Sequence, residues 1–277
     1  MRGGLPLAGV CGWPVAHSVS PAMMAFWLER AGMAGSYVHV ATCGESFPNA
    51  LKSMKDFGMT GMNVTIPHKE TALKLADSAS EAARRIGAAN LVLVTERGVH
   101  ADNTDIIGVK AALDEGGWTP GDGPAVLVGA GGAARAALAL LADLGAEIRI
   151  LNRSPDKAAA LAEEMGANAV VQPLSEEAFA LEGAGLVVNA TSLGMKGWAS
   201  PHLSLGRARP GAVVFDMVYA PLETGLLKAA RAHGLKTVDG LSMLIGQARP
   251  AFEALFGAPP PPDDPKPLLI EILEGRA

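Results

Sequence analysis

The chain has 277 residues, 49% hydrophobic and 18% charged, with 23 basic and 28 acidic side chains and a formal charge of −5. That length admits two domains of ordinary size, and the acidic balance argues against nucleic acid as the main partner. No segment reaches the ~20 apolar residues of a membrane span, no signal peptide is expected, and two isolated cysteines, Cys11 and Cys43, suit buried thiols in a cytoplasmic protein.

Residues 5–11 read as a buried strand, followed by a loop over residues 12–20. Ser20 then stands as an N-cap, Pro21 as a first helical residue and Gly32 as the stop. A strand over 37–41 and a helix over 47–57 follow, the helix carrying Phe47, Leu51, Met54 and Phe57 on one face. The next strand alternates Asn63 and Thr65 with Val64 and Ile66, stops at Pro67, and delivers Lys69 into a helix over 69–77. A lysine at such a junction reaches a cleft, where partial desolvation eases its loss of a proton. A short helix near 82–86 and a hairpin with arms 90–95 and 99–101 complete a βα pattern that favours a mostly parallel sheet.

Residues 106–113 form a helix, with Asp105 placed to cap it, and breakers at Gly116, Gly117 and 119–124 open a fresh βαβ pattern. Strands are expected at 125–129, 147–151, 186–190, 213–216 and 236–238, with helices at 132–144, 155–165, 223–233, 241–256 and 268–273. Residues 259–262 are a four-proline spacer.

Between the strand at 125–129 and its helix lies Gly129-Ala130-Gly131-Gly132-Ala133-Ala134. Gly129 permits a tight turn, Gly131 lets backbone approach a pyrophosphate, and Ala133 and Ala134 allow close helix packing. The second strand ends at Asn152 without the acidic residue that takes the ribose of NAD; Arg153, Ser154 and Lys157 suit a 2′-phosphate, so NADP is the expected cofactor. Thr191 and Ser192 follow a later strand at the sheet's carboxyl edge, in reach of the same ligand.

Nine motifs, in order, resemble the shikimate dehydrogenase family over residues 5–256: 16–21, 63–69, 87–90, Asn103-Thr104-Asp105, 129–134, Asn152-Arg153, 189–195, 219–224 and 240–248. The resemblance implies an α/β protein of two domains flanking a deep cleft: an N-terminal substrate domain, residues 1–103 completed by helices in 241–277, and a doubly wound Rossmann domain, residues 104–240. It implies NADP-linked reduction of 3-dehydroshikimate to shikimate, on the route to aromatic amino acids, by a monomer or homodimer. Lys69 and Asp105 become the catalytic pair. Ser18 and Ser20 hold the substrate carboxylate, and Thr65, Asn90, Tyr219 and Gln247 complete the substrate set. Met217 and Gly240 join the cofactor set. Leu91 stands where the family commonly has threonine, Ile106 where it has glycine, and Leu203-Ser204 where an acidic pair is frequent. Those departures keep two other readings open: a quinate/shikimate dehydrogenase using NAD or NADP, and a non-catalytic sensor.

Overall fold

The computed structural model describes residues 4–275. The chain divides into two compact units, one running from the N-terminus to Thr104 and resuming at Gln247, the other covering Asp105–Gly246. Among the described residues no helix is long and apolar enough to cross a membrane.

The first unit is built from β1 (Leu7–Gly12), α1 (Ser20–Arg30), β2 (Ser36–Ala41), α2 (Phe47–Ser53), β3 (Met59–Val64), α3 (Lys69–Leu75), β4 (Ser78–Ala79), α4 (Glu81–Ile86), β5 (Leu91–Thr95) and β6 (Gly98–Asp102). Its sheet has the order β2-β1-β3-β5-β6-β4. It is mixed: β1 pairs parallel with β2 and β3, and β4 with β6, while β3–β5 and β5–β6 are antiparallel. The short turn of the hairpin accounts for the β5–β6 pair, since such a turn joins only antiparallel neighbours. Gly98, at φ +110°, opens β6, and a Cβ there would meet the Asp77 carboxylate at 2.1 Å.

The second unit holds α5 (Asp105–Gly116), β7 (Ala125–Val128), α6 (Gly132–Asp143), β8 (Ile148–Asn152), α7 (Pro155–Glu164), β9 (Ala169–Pro173), α8 (Glu177–Ala180), β10 (Leu186–Asn189), β11 (Val213–Asp216), α9 (Gly225–Ala232) and β12 (Lys236–Val238). Every strand pairing is parallel, in the order β12-β11-β10-β7-β8-β9. Numbered within the unit this is 3-2-1-4-5-6, the doubly wound arrangement, and its topological switch lies between β7 and β10. Strands β7, β10 and β11 are buried throughout, which is why they read as continuous apolar runs. α10 (Gly240–Phe256) and α11 (Lys266–Glu274) complete the chain's elements, and the second half of α10 returns to the first unit. There Phe252 meets Trp27 edge-on at 5.7 Å, and the Trp27 indole donates to the Asp263 carbonyl just beyond the prolines.

Several boundaries differ from expectation. β3 ends at Val64 rather than at Pro67, and both of its faces are covered: Asn63 is buried as well as Val64, while Ile66, now beyond the strand, is 71% exposed. Asn63 tolerates burial because the Tyr37 hydroxyl donates to its Oδ1 at 2.8 Å and its Nδ2 donates to the Asn90 carbonyl at 3.2 Å. α2 stops at Ser53, where the chain turns through Gly58 at φ +68° and leaves Phe57 outside the core. α3 ends at Leu75, before β4, a strand too short to announce itself. Ser20 is not an N-cap: Val19 takes that position, and Ser20's own N–H meets the Ser18 hydroxyl at 3.3 Å. Asp105 is the first helical residue of α5 rather than its cap. The 223–233 helix begins at Gly225, because the Thr224 hydroxyl caps it by accepting from Leu227 N–H. Strand β9 and helix α8 carry no strong pattern and had no expected counterpart.

Candidate active site

In the first unit, the residues that sequence assigns to the substrate hang on the carboxyl ends of β1 and β3 and the amino end of β5. The Thr65 N–H pairs with the Cys11 carbonyl, and the His68 N–H closes a turn on Thr65, so the chain leaves the sheet and enters α3 at Lys69. Lys69 is half-buried, its carbonyl receiving the Ala89 N–H at 2.9 Å. His68, given no catalytic role by sequence, is buried: its Nε2 lies 2.6 Å from the Thr42 carbonyl and its ring stacks on Phe47 at 4.3 Å. It anchors the residue next to Lys69.

Ser18, on the loop entering α1, and Ser20, the first residue of that helix, are both buried. His39 on β2 sits with Nε2 2.9 Å from the Ser18 carbonyl and ties this loop to the sheet. Asn90 is engaged at both ends of its amide. Its Oδ1 accepts from Thr104 N–H at 2.8 Å, and its Nδ2 donates to Thr104 Oγ1 at 2.9 Å and Gln247 Oε1 at 3.2 Å. The Thr104 hydroxyl in turn donates to Gln247 Oε1 at 3.3 Å. Hydrogen bonds as well as helix packing therefore fix Gln247. Sequence reasoning assigned Thr104 no task; it emerges as the residue that joins Asn90 to Gln247. Leu91 is fully buried in β5, so its departure from the family pattern acts by packing, while Ile106 is half-buried on α5.

In the second unit, the loops after β7 and β10 flank the switch point. Gly129, at φ +110°, makes the turn after β7, where a Cβ would strike Thr191 Cγ2 at 2.7 Å. Cβ atoms at Gly131 and Gly132 would meet nothing within 4 Å, so the start of α6 is a bare cradle of backbone N–H groups. Ala130 is buried beside it; of the two alanines expected to pack, Ala134 is fully buried and Ala133 half-buried. After β8, Asn152 Nδ2 donates to the Ser154 carbonyl, and Arg153, Ser154 and Lys157 are exposed together at the start of α7. Ser154 holds the N-cap position without a side-chain capping bond. An anion-binding helix start with two cations and a hydroxyl beyond the next strand fits a dinucleotide carrying a 2′-phosphate.

A buried network supports this edge. Asn189 accepts from Thr191 N–H at 3.1 Å and from its hydroxyl at 2.7 Å, and donates to the Leu193 carbonyl and to Asp216 Oδ1. Asp216 also accepts from Val218 N–H and, at 2.7 Å, from the Thr224 hydroxyl. Burial pushes the Asp216 carboxyl above its usual range, against the opposing pull of these donors. Ser192 is exposed on the same loop, and Met217 and Tyr219 are half-buried just after β11. Gly240 is glycine because a Cβ would run into the Met217 carbonyl at 2.3 Å. Asp216 and Thr224 went unremarked as partners in the sequence; the Asn-Ala-Thr run was visible, but their place in it depends on β11 pairing with β10. Leu203 packs in the core beneath, and Ser204 bonds the Glu177 carboxylate through N–H and hydroxyl, both at 2.7 Å.

Residues 10–92 match the model of the shikimate dehydrogenase substrate binding domain, and residues 121–196 match that of shikimate / quinate 5-dehydrogenase. The chain is 47% identical over 264 residues to a protein of Acidiphilium cryptum named shikimate dehydrogenase (NADP(+)), covering 95% of each. Its fold superposes with TM-score 0.85 and 41% identity on shikimate 5-dehydrogenase from Thermus thermophilus in complex with NADP(H) and shikimate, over 98% of this chain and 99% of that one. A quinate dehydrogenase from Corynebacterium glutamicum in complex with NAD superposes with TM-score 0.85 at 30% identity, over 98% of both chains.

Proposed function

The chain belongs to the shikimate dehydrogenase family, and from that premise we propose how its own residues act. The protein is an NADP-dependent shikimate dehydrogenase, an oxidoreductase that interconverts 3-dehydroshikimate and shikimate. The observation that carries the substrate half is chemical. Shikimate bears one carboxylate and three hydroxyls, and Ser18, Ser20, Asn90, Thr104 and Asp105 are all buried polar side chains, where an apolar ligand would have no use for them.

Ser18 and Ser20 donate to the carboxylate, while Thr65, Asn90, Gln247 and Tyr219 bind the ring hydroxyls. In the reductive direction negative charge develops on the ketone oxygen. The Lys69 ammonium stabilises that charge and delivers the proton; in the oxidative direction its amine takes the hydroxyl proton. Asp105 orients the reacting hydroxyl. When bound, NADP supplies or accepts the hydride. Gly129, Ala130, Gly131, Gly132 and Ala133 hold its pyrophosphate, and Asn152, Arg153, Ser154 and Lys157 its phosphorylated ribose. Thr191, Ser192, Met217 and Gly240 would complete the cofactor site. The first unit, completed by residues from α10 and α11, is the substrate domain, and the enzyme works in the cytoplasm as a monomer or homodimer.

The test is absorbance at 340 nm with shikimate or quinate, each with NADP or NAD. Turnover of shikimate with NADP is expected to exceed the other three combinations by at least about tenfold, which corresponds to ~1.4 kcal/mol of discrimination. The resemblance to the quinate dehydrogenase motivates the second reading, and quinate turnover at a comparable rate would establish it.

A further inference from the structure

The side-chain amides of Asn90 and Gln247 are oriented by one unambiguous donor. An amide's oxygen and nitrogen differ only in which partners they satisfy, so orientation follows from the first partner whose polarity is fixed. Here that partner is the Thr104 backbone N–H, which can only donate. It lies 2.8 Å from one end of the Asn90 amide, and that end is therefore oxygen. The other end is the NH₂ group, whose two protons meet two acceptors, Thr104 Oγ1 at 2.9 Å and an amide atom of Gln247 at 3.2 Å. That Gln247 atom must accept, so it is Oε1. The Thr104 hydroxyl, having accepted from Asn90, spends its proton on the same Oε1 at 3.3 Å. Gln247 thus turns its oxygen inward, toward the two donors, and its Nε2 outward from them.

We infer that Thr104 is a positioning residue that sets the polarity of this amide pair, so that Gln247 meets the substrate as a hydrogen-bond donor. This deepens the proposed function and rests on its placing Asn90 and Gln247 at the substrate. The substrate hydroxyl beside Gln247 is then read as an acceptor, a requirement that a hydroxyl meets and a methylene cannot. Thr104 is 3% exposed, 14 residues from Asn90 and 143 from Gln247, so the link is made by the fold and not by local sequence.

Two substitutions in the intact enzyme test this. Thr104→Val keeps the backbone donor and the side-chain shape but removes the hydroxyl. The shikimate KM is expected to rise about tenfold, with kcat within about threefold and the NADP KM unchanged, and Thr104→Ser should restore the KM. Since the backbone donor that orients Asn90 is retained, a Val variant with the wild-type shikimate KM would overturn the part given to the Thr104 hydroxyl in holding Gln247. Gln247→Glu keeps an inward acceptor for both donors and replaces the outward NH₂ with an oxygen. Its shikimate KM should rise by about tenfold or more while the carboxyl is ionised, and fall again as acid restores a proton there. A wild-type KM for Gln247→Glu at every pH would show that the outward atom is an acceptor and overturn the polarity. That variant decides the matter alone if Thr104→Val does not fold. Asn90→Ala and Gln247→Ala separate the two levels: if neither alters the shikimate KM, the substrate site itself is misplaced and this inference falls with it.

Discussion

Asn90 and Asn189 are both buried asparagines that hold a threonine, yet they hold it over different distances and to different ends. Asn189 closes on Thr191 two residues away and on Leu193 four away, a self-contained loop braced from β11 by Asp216. Asn90 reaches Thr104 across the β5–β6 hairpin and Gln247 from α10. The first arrangement stiffens a loop at the carboxyl edge of a parallel sheet; the second assembles a polar surface from three separate stretches of chain. A local brace can be lost with damage to stability, whereas a long-range assembly is lost with damage to recognition.

The largest expected effect tests the chemistry of the first unit. Lys69→Ala should lower kcat by about 10³-fold, within the range for loss of a general acid–base, with unfolding in urea unchanged. A near wild-type rate would remove lysine from the mechanism. In the second unit, Arg153→Ala should raise the NADP KM by about tenfold or more and leave the NAD KM nearly constant, since only the former carries the 2′-phosphate. Equal changes for both cofactors would sink that assignment.

The asparagine pair itself is separable by two variants. Asn189→Ala leaves the Thr191 N–H and the Leu193 carbonyl without their partner, and should cost about 2–3 kcal/mol in urea unfolding. Asn90→Ala should show chiefly as a raised shikimate KM, so similar stability losses with unchanged KM in both would collapse the distinction. Asp216 gives a pH-dependent version. Its folded-state pKa lies above the unfolded value near 3.8. Ionised Asp216 therefore costs stability, the cost growing as pH rises from 3.8 through the folded pKa and then levelling off. Relative to Asp216→Asn, the wild type should lose stability across that window; parallel pH profiles would show that burial imposes no penalty there.

The smallest effect concerns the two thiols. Cys43 is exposed, and hydrogen bonds from Ser46 hold its pKa below the ordinary value, while burial pushes Cys11 up. In the folded protein, iodoacetamide should alkylate Cys43 and spare Cys11, as mass spectrometry of the labelled peptides would register; equal labelling would mean that β1 opens.

What could be read from sequence follows the same division between near and far. The Gly129 turn and α6 announce themselves because turn, strand and helix are consecutive. The β5–β6 hairpin does so because its arms are adjacent. The burial of Asn63 on β3 does not, because Asn63 is made acceptable inside by Tyr37, 26 residues away. Likewise Lys69 stands out beside Pro67, but Thr104 gains its meaning only when α10 brings Gln247 to it. β4 escapes for a simpler reason: two residues are too few for any period to show.

The return of α10 and α11 to the first unit has a consequence for how the protein is made. Phe252, Phe256 and Leu255, which pack by Trp27, Gly35 and Gly61, leave the ribosome only after the whole of the second unit. The second unit is one uninterrupted stretch, so its sheet can close while the first still lacks these side chains. Domains generally fold in the order they are synthesised; in this chain the order should invert, with the half that emerges first finishing last. Until then the apolar surface around Trp27 and Gly61 waits uncovered, and it is this half that a nascent-chain chaperone would be expected to hold.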